Sequence, residues 1–330
     1  EADEVLGHLR AMTRTQQLSV LIITHKLREV VTFADEVTVL RKGQFVGSGL
    51  VSDLTVSQMA EMMVGSEVTA RAKERNTPPA KTPKLAIHDL RVHDDAGVEA
   101  IRGLHVTIHS GEIVGVAGVS GNGQRELVEV LAGQRQAVAG TILVRGMPFE
   151  PTREQIVRHK IYCLPEEPLL NTCVGNMSLA ENLAFRNFDV EPHAMGGWLI
   201  NHQMMRRSAQ NLIKQYNIKP PYPHLPIRSL SGGNIQRAVL ARELSDGVEI
   251  LIVANPCFGL DFLATEDIRL QIVAARNRGT AVLLVSEDLD EILELADRTV
   301  VIFNGQLVYE TTSSGADLAL IGRHMTGHAA

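Results

Sequence analysis

The sequence predicts an α/β fold built on a buried, mostly parallel sheet, and three features carry that prediction. Residues 250–253 and 282–285 are continuously apolar, as expected for strands that are covered on both faces. Ile113–Ala117 is a third apolar, β-branched run, and a glycine-rich loop and an amphipathic helix follow it directly. A glycine loop between a strand and a helix presents backbone N–H groups to an anion, so the pattern also predicts a phosphate site.

Elements before this sheet can be assigned in chain order. Residues 1–12 have the pattern of a helix, and residues 18–24 that of a short apolar strand. A helix, a strand and a turn are expected next, and then a small helix over Val56–Val64. Residues 67–84 combine prolines with charges and few large apolar groups, which is a linker composition. A second domain is therefore expected from Leu85 onward.

Later elements belong to that second domain. Residues 186–227, between the glycine loop and the next buried strand, are expected to be mostly helical. Residues 230–244 read Leu-Ser-Gly-Gly-Asn-Ile-Gln-Arg-Ala-Val-Leu-Ala-Arg-Glu-Leu. Two glycines remove side chains at the mouth of a predicted helix, so Ser231 and the free N–H groups face any approaching anion. Ile235, Val239 and Leu240 form its expected buried stripe.

Composition limits the classes of function. With 330 residues and 45% hydrophobic content, the chain has room for one domain with a real core and part of another. No apolar run approaches the ~18–20 residues that span a bilayer, and no signal peptide is visible. A net charge of −6 and the lack of a basic aromatic patch argue against a nucleic-acid partner. Cys163, Cys173 and Cys257 lack metal-ligand spacing, so we expect ordinary thiols and no metal site.

An internal repeat links the two ends of the chain. Thr24-His25-Lys26-Leu27 corresponds to Ser286-Glu287-Asp288-Leu289, at an offset of 262 (287 − 25 = 262). The same offset relates several later residues, down to a Met-x-Gly near residue 65 and another near residue 327. The sequence therefore predicts the end of one domain followed by a complete second copy.

The stretch at 230–244 resembles the signature of ATP-binding cassette (ABC) ATPases. The resemblance implies a P-loop NTPase ABC cassette, with a mixed sheet core, an antiparallel β subdomain and a helical subdomain. It assigns residues 1–66 to the C-terminal part of a first cassette, 67–84 to a linker and 85–330 to a second cassette. Asp261 would be the D-loop residue of the second copy, and its counterpart would map just before residue 1. Because the first residue is Glu1 and not Met, we expect a chain truncated at its N-terminus, without the first cassette's phosphate loop, signature and Walker B strand.

Nucleotide contacts carried over from this resemblance fall in the glycine loop and the signature. In the family, the signature contacts the γ-phosphate of an ATP held mainly by the opposite cassette. The predicted nucleotide-binding residues are Gly118, Ser120, Gly121, Asn122, Gly123, Gln124, Arg125, Ser231, Gly232, Gly233, Asn234 and Gln236.

The second cassette departs from the pattern of a working ATPase. The phosphate-loop lysine and the magnesium-binding hydroxyl are replaced by Gln124 and Arg125. Four further positions are also degenerate: Ala254 and Asn255 for the Walker B acid pair, Glu287 for the switch histidine and Glu166 for the glutamine after the next strand. Two interpretations remain open, a decayed site and a site that binds nucleotide without turnover. The glycine loop still offers N–H groups, so we favour retained binding.

The first copy keeps the family's switch histidine, at His25. In ABC ATPases this histidine contacts the γ-phosphate and helps to orient the attacking water, so His25 is the predicted catalytic residue. One composite site would combine the first cassette's phosphate loop and His25 with the second cassette's signature. ATP and Mg²⁺ are expected mainly there, completed by the missing N-terminal cassette.

The loop Gly-Val-Ala-Gly-Val-Ser-Gly-Asn-Gly-Gln at 115–124 is more similar to the nucleoside branch of bacterial simple-sugar and nucleoside importers than to the ribose or galactose branch. This implies a peripheral ATPase on the cytoplasmic face of the membrane, two transmembrane permease subunits and an extracytoplasmic substrate-binding protein. Two alternatives remain: a non-transport tandem ABC protein, which would more often keep both phosphate-loop lysines, and a non-hydrolysing nucleotide-dependent regulator, against which His25 argues.

Overall fold

The computed structural model describes residues 2–24, 26–41, 43–64, 77–196, 199–245 and 247–328. The chain divides into two compact units, Glu1–Lys73 with Asp261–Leu263, and Glu74–Leu260 with Ala264–Ala330. Within the described part, no helix combines the length and apolar character needed to cross a bilayer.

The first unit is a small α/β assembly around one hairpin. The predicted helices at its start and over Val56–Val64 are confirmed. Strands β1 and β2 pair in antiparallel fashion, and Val39 and Met59 are its buried apolar side chains. Its elements are α1 (Ala2–Arg14), α2 (Leu27–Phe33), β1 (Glu36–Arg41), β2 (Gln44–Leu50) and α3 (Val56–Val64).

The second unit contains the predicted strand, glycine loop and helix. Its strands are β3 (Pro83–His93), β4 (Glu99–His109), β5 (Ile113–Ala117), β6 (Ala139–Val144), β7 (Met147–Pro148), β8 (Ile161–Leu164), β9 (Ala194–Met195), β10 (Leu199–Ile200), β11 (Ile250–Ala254), β12 (Ala281–Ser286), β13 (Arg298–Phe303) and β14 (Gln306–Thr312). Its helices are α4 (Gln124–Leu131), α5 (Arg153–His159), α6 (Pro168–Asn171), α7 (Leu179–Leu183), α8 (His202–Gln215), α9 (Gly232–Glu243), α10 (Phe262–Asn277), α11 (Leu289–Leu295) and α12 (Leu318–Met325).

Two sheets organise this unit. The larger has the order β14-β13-β5-β12-β11-β8, in which β14 is antiparallel and the other five strands are parallel. The smaller is antiparallel, with the order β4-β3-β6-β7. This is the predicted mixed core with an antiparallel β subdomain.

The central strands are buried on both faces, as their unbroken apolar sequences predict. Leu251 and Val253 of β11 pack in the same layer as the helix α9. Ile250 and Ile252 point to the opposite layer, which contains α4. Successive residues of a strand face opposite sides, so both layers must be apolar. The arrangement places the glycine loop at the carboxyl end of β5.

The expectation of a mostly helical segment over residues 186–227 is wrong. Among the described residues of this segment, α8 is the one long helix, and the others form the short paired strands β9 and β10 and irregular chain. Prolines at 192, 220, 221, 223 and 226 lack the N–H that helix continuation requires, so they confine the helix to the stretch between them.

The expectation of a strand at residues 18–24 is also wrong. These residues form no regular structure, and Leu21 and Ile23 are 92% and 95% exposed. Their counterpart at the 262-residue offset is β12, which lies between β5 and β11. A strand is stable only when neighbours satisfy its backbone groups, and no strand of the described residues pairs with this segment.

The repeat seen in the sequence recurs in the structure. Helix α2 and strands β1 and β2 reappear 262 residues later, with the same bounds, as α11, β13 and β14. Even the irregularity in β1 after Val39 recurs in β13 after Val301. The Thr24 hydroxyl donates to Glu29 over 2.7 Å, as the Ser286 hydroxyl does to Glu291 over 2.9 Å. The two copies therefore share this side-chain contact, whereas His25 itself lies outside the described residues.

Candidate functional site

The glycine loop joins β5 to α4, and its shape depends on glycine. Gly121 and Gly123 have φ angles of +88° and +104°, which side chains rarely adopt. A Cβ at Gly123 would lie 2.6 Å from the carbonyl oxygen of Ala100. The loop therefore has a backbone conformation that requires glycine at two positions, and Gly118 and Ser120 lie at its beginning.

The Gln124 side chain forms hydrogen bonds with backbone groups of the glycine loop. It is 9% exposed, and its Nε2 donates to the Val119 carbonyl over 3.0 Å. Its Oε1 accepts from the Asn122 backbone N–H over 3.1 Å. One backbone N–H of the loop is therefore already satisfied by a neutral side chain.

Arg125 is held by an acidic cluster. Its guanidinium lies 3.0 Å from an Asp95 oxygen, 3.3 Å from Glu126 and 3.5 Å from Glu129. These carboxylates, Glu129 foremost, raise the pKa of Arg125 further. Arg135 also bonds to Asp95 and Glu129, and it lowers the pKa of Asp95. Asp95 and Arg135 lie in other segments of the chain and belong to no motif, so they were not among the predicted site residues.

The residues at the magnesium positions do not fit that ion. Arg125 has no oxygen ligand, and Ala254 ends β11 without a carboxylate. Asn255, which has a φ angle of +42°, instead forms hydrogen bonds between the ends of β11 and β12. Its backbone N–H donates to Val285 over 2.8 Å, and its side-chain oxygen accepts from the Glu287 N–H over 2.9 Å. Arg125 and Ala254 thus offer no magnesium ligand, and the Asn255 side-chain oxygen is already bonded to the Glu287 N–H.

The start of the signature forms the N-terminal end of α9, which we call the helix mouth. Ser231 is the N-cap of α9, with φ −67° and ψ 156°, but its side chain makes no capping bond to the helix backbone. Among the described residues, the N–H groups of Gly232 and Gly233 have no hydrogen-bond acceptor, and the Ser231 hydroxyl donates to none. Three donors are therefore unpaired among the described residues at the positive end of a 12-residue helix.

The remaining predicted site residues lie in different local environments. Asn234 bonds to Ser231 beside the helix mouth. Gln236 is 4% exposed and donates to the Pro256 carbonyl over 2.8 Å, which favours a role in fixing the turn after β11 over contact with nucleotide. Asp261 is exposed just before α10, and the backbone carbonyl of Glu166 accepts from Asn171. His25 lies outside the described residues, so its catalytic role stays a prediction.

The three cysteine thiols have raised pKa values. Burial raises the pKa of Cys163 to about 12 and that of Cys173 to about 11, and it also raises the pKa of Cys257. A thiol with so high a pKa is a poor nucleophile and metal ligand at neutral pH.

A cavity of 270 Å³ beside α7 and α8 lies away from the glycine loop and the signature. His193 lines it, and both its ring nitrogens are hydrogen-bonded, to Asn187 and Ser208, each over 2.9 Å.

Comparison with known proteins identifies this architecture. Residues 101–257 match the family model described as ABC transporter. A dimeric bacterial ABC transporter cassette superposes with a TM-score of 0.60 at 18% identity, covering 70% of this chain and 100% of that one. A nucleotide-free ATP-binding cassette gives 0.59 at 19% identity, covering 70% and 91%. The second unit therefore has the α/β fold of an ABC cassette.

The curated relatives are import ATP-binding proteins. A glucose import ATP-binding protein of Haloferax volcanii is 38% identical over 99% of this chain and 60% of its own length. A guanosine import ATP-binding protein of Bacillus subtilis is 36% identical over 87% and 57%. A nucleoside import ATP-binding protein of Lactococcus lactis is 35% identical over 88% and 57%. The chain thus spans about three-fifths of the length of these relatives.

Proposed function

We propose that this chain is part of the ATP-binding subunit of an ABC importer for nucleosides, with simple sugars as the second candidate. The open signature is the observation that carries this proposal. Ser231, Gly232 and Gly233 present three unpaired donors, a constellation suited to the oxygens of a phosphate. The names of the relatives support import as the process that ATP drives, and both nucleosides and sugars occur among their solutes.

In this proposal, hydrolysis occurs at one composite site of the whole protein. The first cassette's phosphate loop and His25 would hold ATP and Mg²⁺, and the signature of the second cassette would complete the site. The phosphate loop of the second cassette would not turn ATP over, because Gln124 and Arg125 are committed to partners within the cassette. The chain on its own is therefore expected to hydrolyse ATP negligibly, even if its glycine loop retains nucleotide.

We infer that the whole subunit works at the cytoplasmic face of the membrane with two permease subunits. ATP binding would close the cassettes, and hydrolysis would reopen them. The helical region and the loop around residues 165–182 would pass this motion to the permeases, while a substrate-binding protein outside delivers the solute. The net charge of −6 fits a protein without a nucleic-acid partner.

Uptake by cells tests the proposal. Deletion of the gene that encodes this chain should abolish import of radiolabelled nucleosides or of one simple sugar, and the intact gene should restore it. A copy carrying Gly232→Ala should not restore it, although the protein accumulates normally. Unchanged uptake of every nucleoside and simple sugar in the deletion strain would contradict the importer assignment.

A further inference from the structure

Asn234 joins two parts of the cassette beside the signature mouth. Its Oδ1 accepts from the backbone N–H of Lys219 over 2.7 Å. Its Nδ2 donates to the Ser231 hydroxyl oxygen over 2.8 Å. Asn234 is half-buried, whereas Ser231 is exposed. The Asn234 amide therefore links the Lys219 backbone N–H to the Ser231 hydroxyl at the helix N-cap. We call these two hydrogen bonds the relay.

The direction of this relay is determined by chemistry. A backbone N–H can only donate, so the amide group must turn its oxygen toward Lys219. Its NH₂ group must then face Ser231, whose oxygen can only accept in that contact. The hydroxyl proton of Ser231 consequently points away from Asn234. Because no described residue accepts it, it is available to a ligand.

The Ser231 side chain does not cap its own helix. An N-cap serine ordinarily accepts a bond from the backbone N–H two or three residues on. Here the Ser231 side chain makes no such bond, and its oxygen accepts from the Asn234 side chain. The Gly233 N–H therefore remains without a partner among the described residues, as does that of Gly232.

We propose that Asn234 is a positioning residue that orients the Ser231 hydroxyl, so that it and the Gly232 and Gly233 N–H groups all donate to one phosphate. This inference rests on the proposed function, since the phosphate would be the γ-phosphate of the ATP that the signature completes. It changes the expected role of Asn234 from nucleotide contact to control of the serine. Lys219 takes part through its backbone N–H.

Asn234→Asp separates the two bonds of the relay. An aspartate still accepts from the Lys219 N–H, but it cannot donate to Ser231 and would turn the hydroxyl proton inward. We expect Ser231→Ala to lower kcat of the full-length subunit, assembled with its permeases, on the order of a hundredfold, the effect of losing one preorganised donor. Asn234→Asp should lower kcat by a similar factor, with a melting temperature close to that of the wild type.

The double variant provides the decisive comparison. If Asn234 acts through Ser231, Asn234→Asp should change kcat less than about threefold when Ser231 is already alanine, because the two changes are not additive. Independent, multiplying effects, or a normal kcat in Asn234→Asp alone, would overturn the positioning role and leave the proposed function intact. An unchanged kcat in Ser231→Ala would instead overturn the proposed function, because the signature would then not serve hydrolysis.

Discussion

Gly232 and Gly233 are neighbours at the start of α9, but their surroundings differ. A Cβ on Gly232 would meet only Leu260, at 3.9 Å, which is an ordinary contact. A Cβ on Gly233 would lie 2.9 Å from the Cβ of Ala264 in α10, which is buried. Gly233 therefore has a packing role besides leaving room for an anion, whereas the space beside Gly232 is open.

This difference predicts the stability of two matched variants. Gly233→Ala should lower the free energy of unfolding by about 1–2 kcal/mol relative to Gly232→Ala, because it overpacks the contact between α9 and α10. Urea unfolding of the chain, followed by circular dichroism, measures the difference. Equal stabilities would contradict the close packing at Gly233 and would make both glycines equivalent probes of phosphate approach.

At the residue scale, the sequence predicted which side chains lie at the candidate site better than it predicted their hydrogen-bond and ion-pair partners. The changes to Gln124 and Arg125 are visible as departures from a motif. Their consequences are not, because Arg125 pairs with Asp95, which lies 30 residues earlier in the chain. Gln236 illustrates the same limit, since only the fold brings its amide to the Pro256 carbonyl.

The far end of α9 carries a buried ionic network. Glu243 has no exposed side-chain surface and accepts from Arg186 over 2.7 Å and from Arg242 over 2.7 Å. Arg242 also donates to the Thr172 hydroxyl over 2.6 Å and to the Asn182 carbonyl over 3.3 Å. The signature helix is thereby tied to α7 and to the segment that precedes it.

Removal of the buried charge should be costly. Glu243→Gln leaves two guanidinium groups without their carboxylate, so we expect the free energy of unfolding to fall by about 3 kcal/mol. Arg153→Gln is the matched control, because it breaks the more exposed pair with Asp189 and should cost less than about 1 kcal/mol. Denaturant unfolding of the three proteins tests this, and similar losses in both variants would refute the network's role.

At the element scale, prediction succeeded where a segment carries its own signal. Unbroken apolar runs identified β5, β11 and β12, since only strands covered on both faces need them. Residues 18–24 carry a similar run and form no strand, because the hydrogen-bonding neighbours decide whether a strand exists. In residues 186–227 the sequence pattern favours helix, but the prolines prevent a long helix outside α8.

At the scale of the whole molecule, the proposed function depends on an asymmetry between the signature and the glycine loop. The signature has unpaired donors, whereas Gln124 and Arg125 beside the glycine loop bond to groups of their own cassette. Under the proposed function, the signature serves the site that hydrolyses ATP, and the glycine loop serves the site that does not.

The most direct test compares Gly232→Ala with Gln124→Ala in the full-length subunit assembled with its permeases, after normal folding and assembly are verified. ATPase rate and solute uptake are measured together for each variant. We expect Gly232→Ala to abolish both, because a methyl group at the open helix mouth obstructs the approach of phosphate, and we expect Gln124→Ala to reduce them less. If Gln124→Ala proved the more damaging change, the assignment of the hydrolysing and degenerate sites would be reversed.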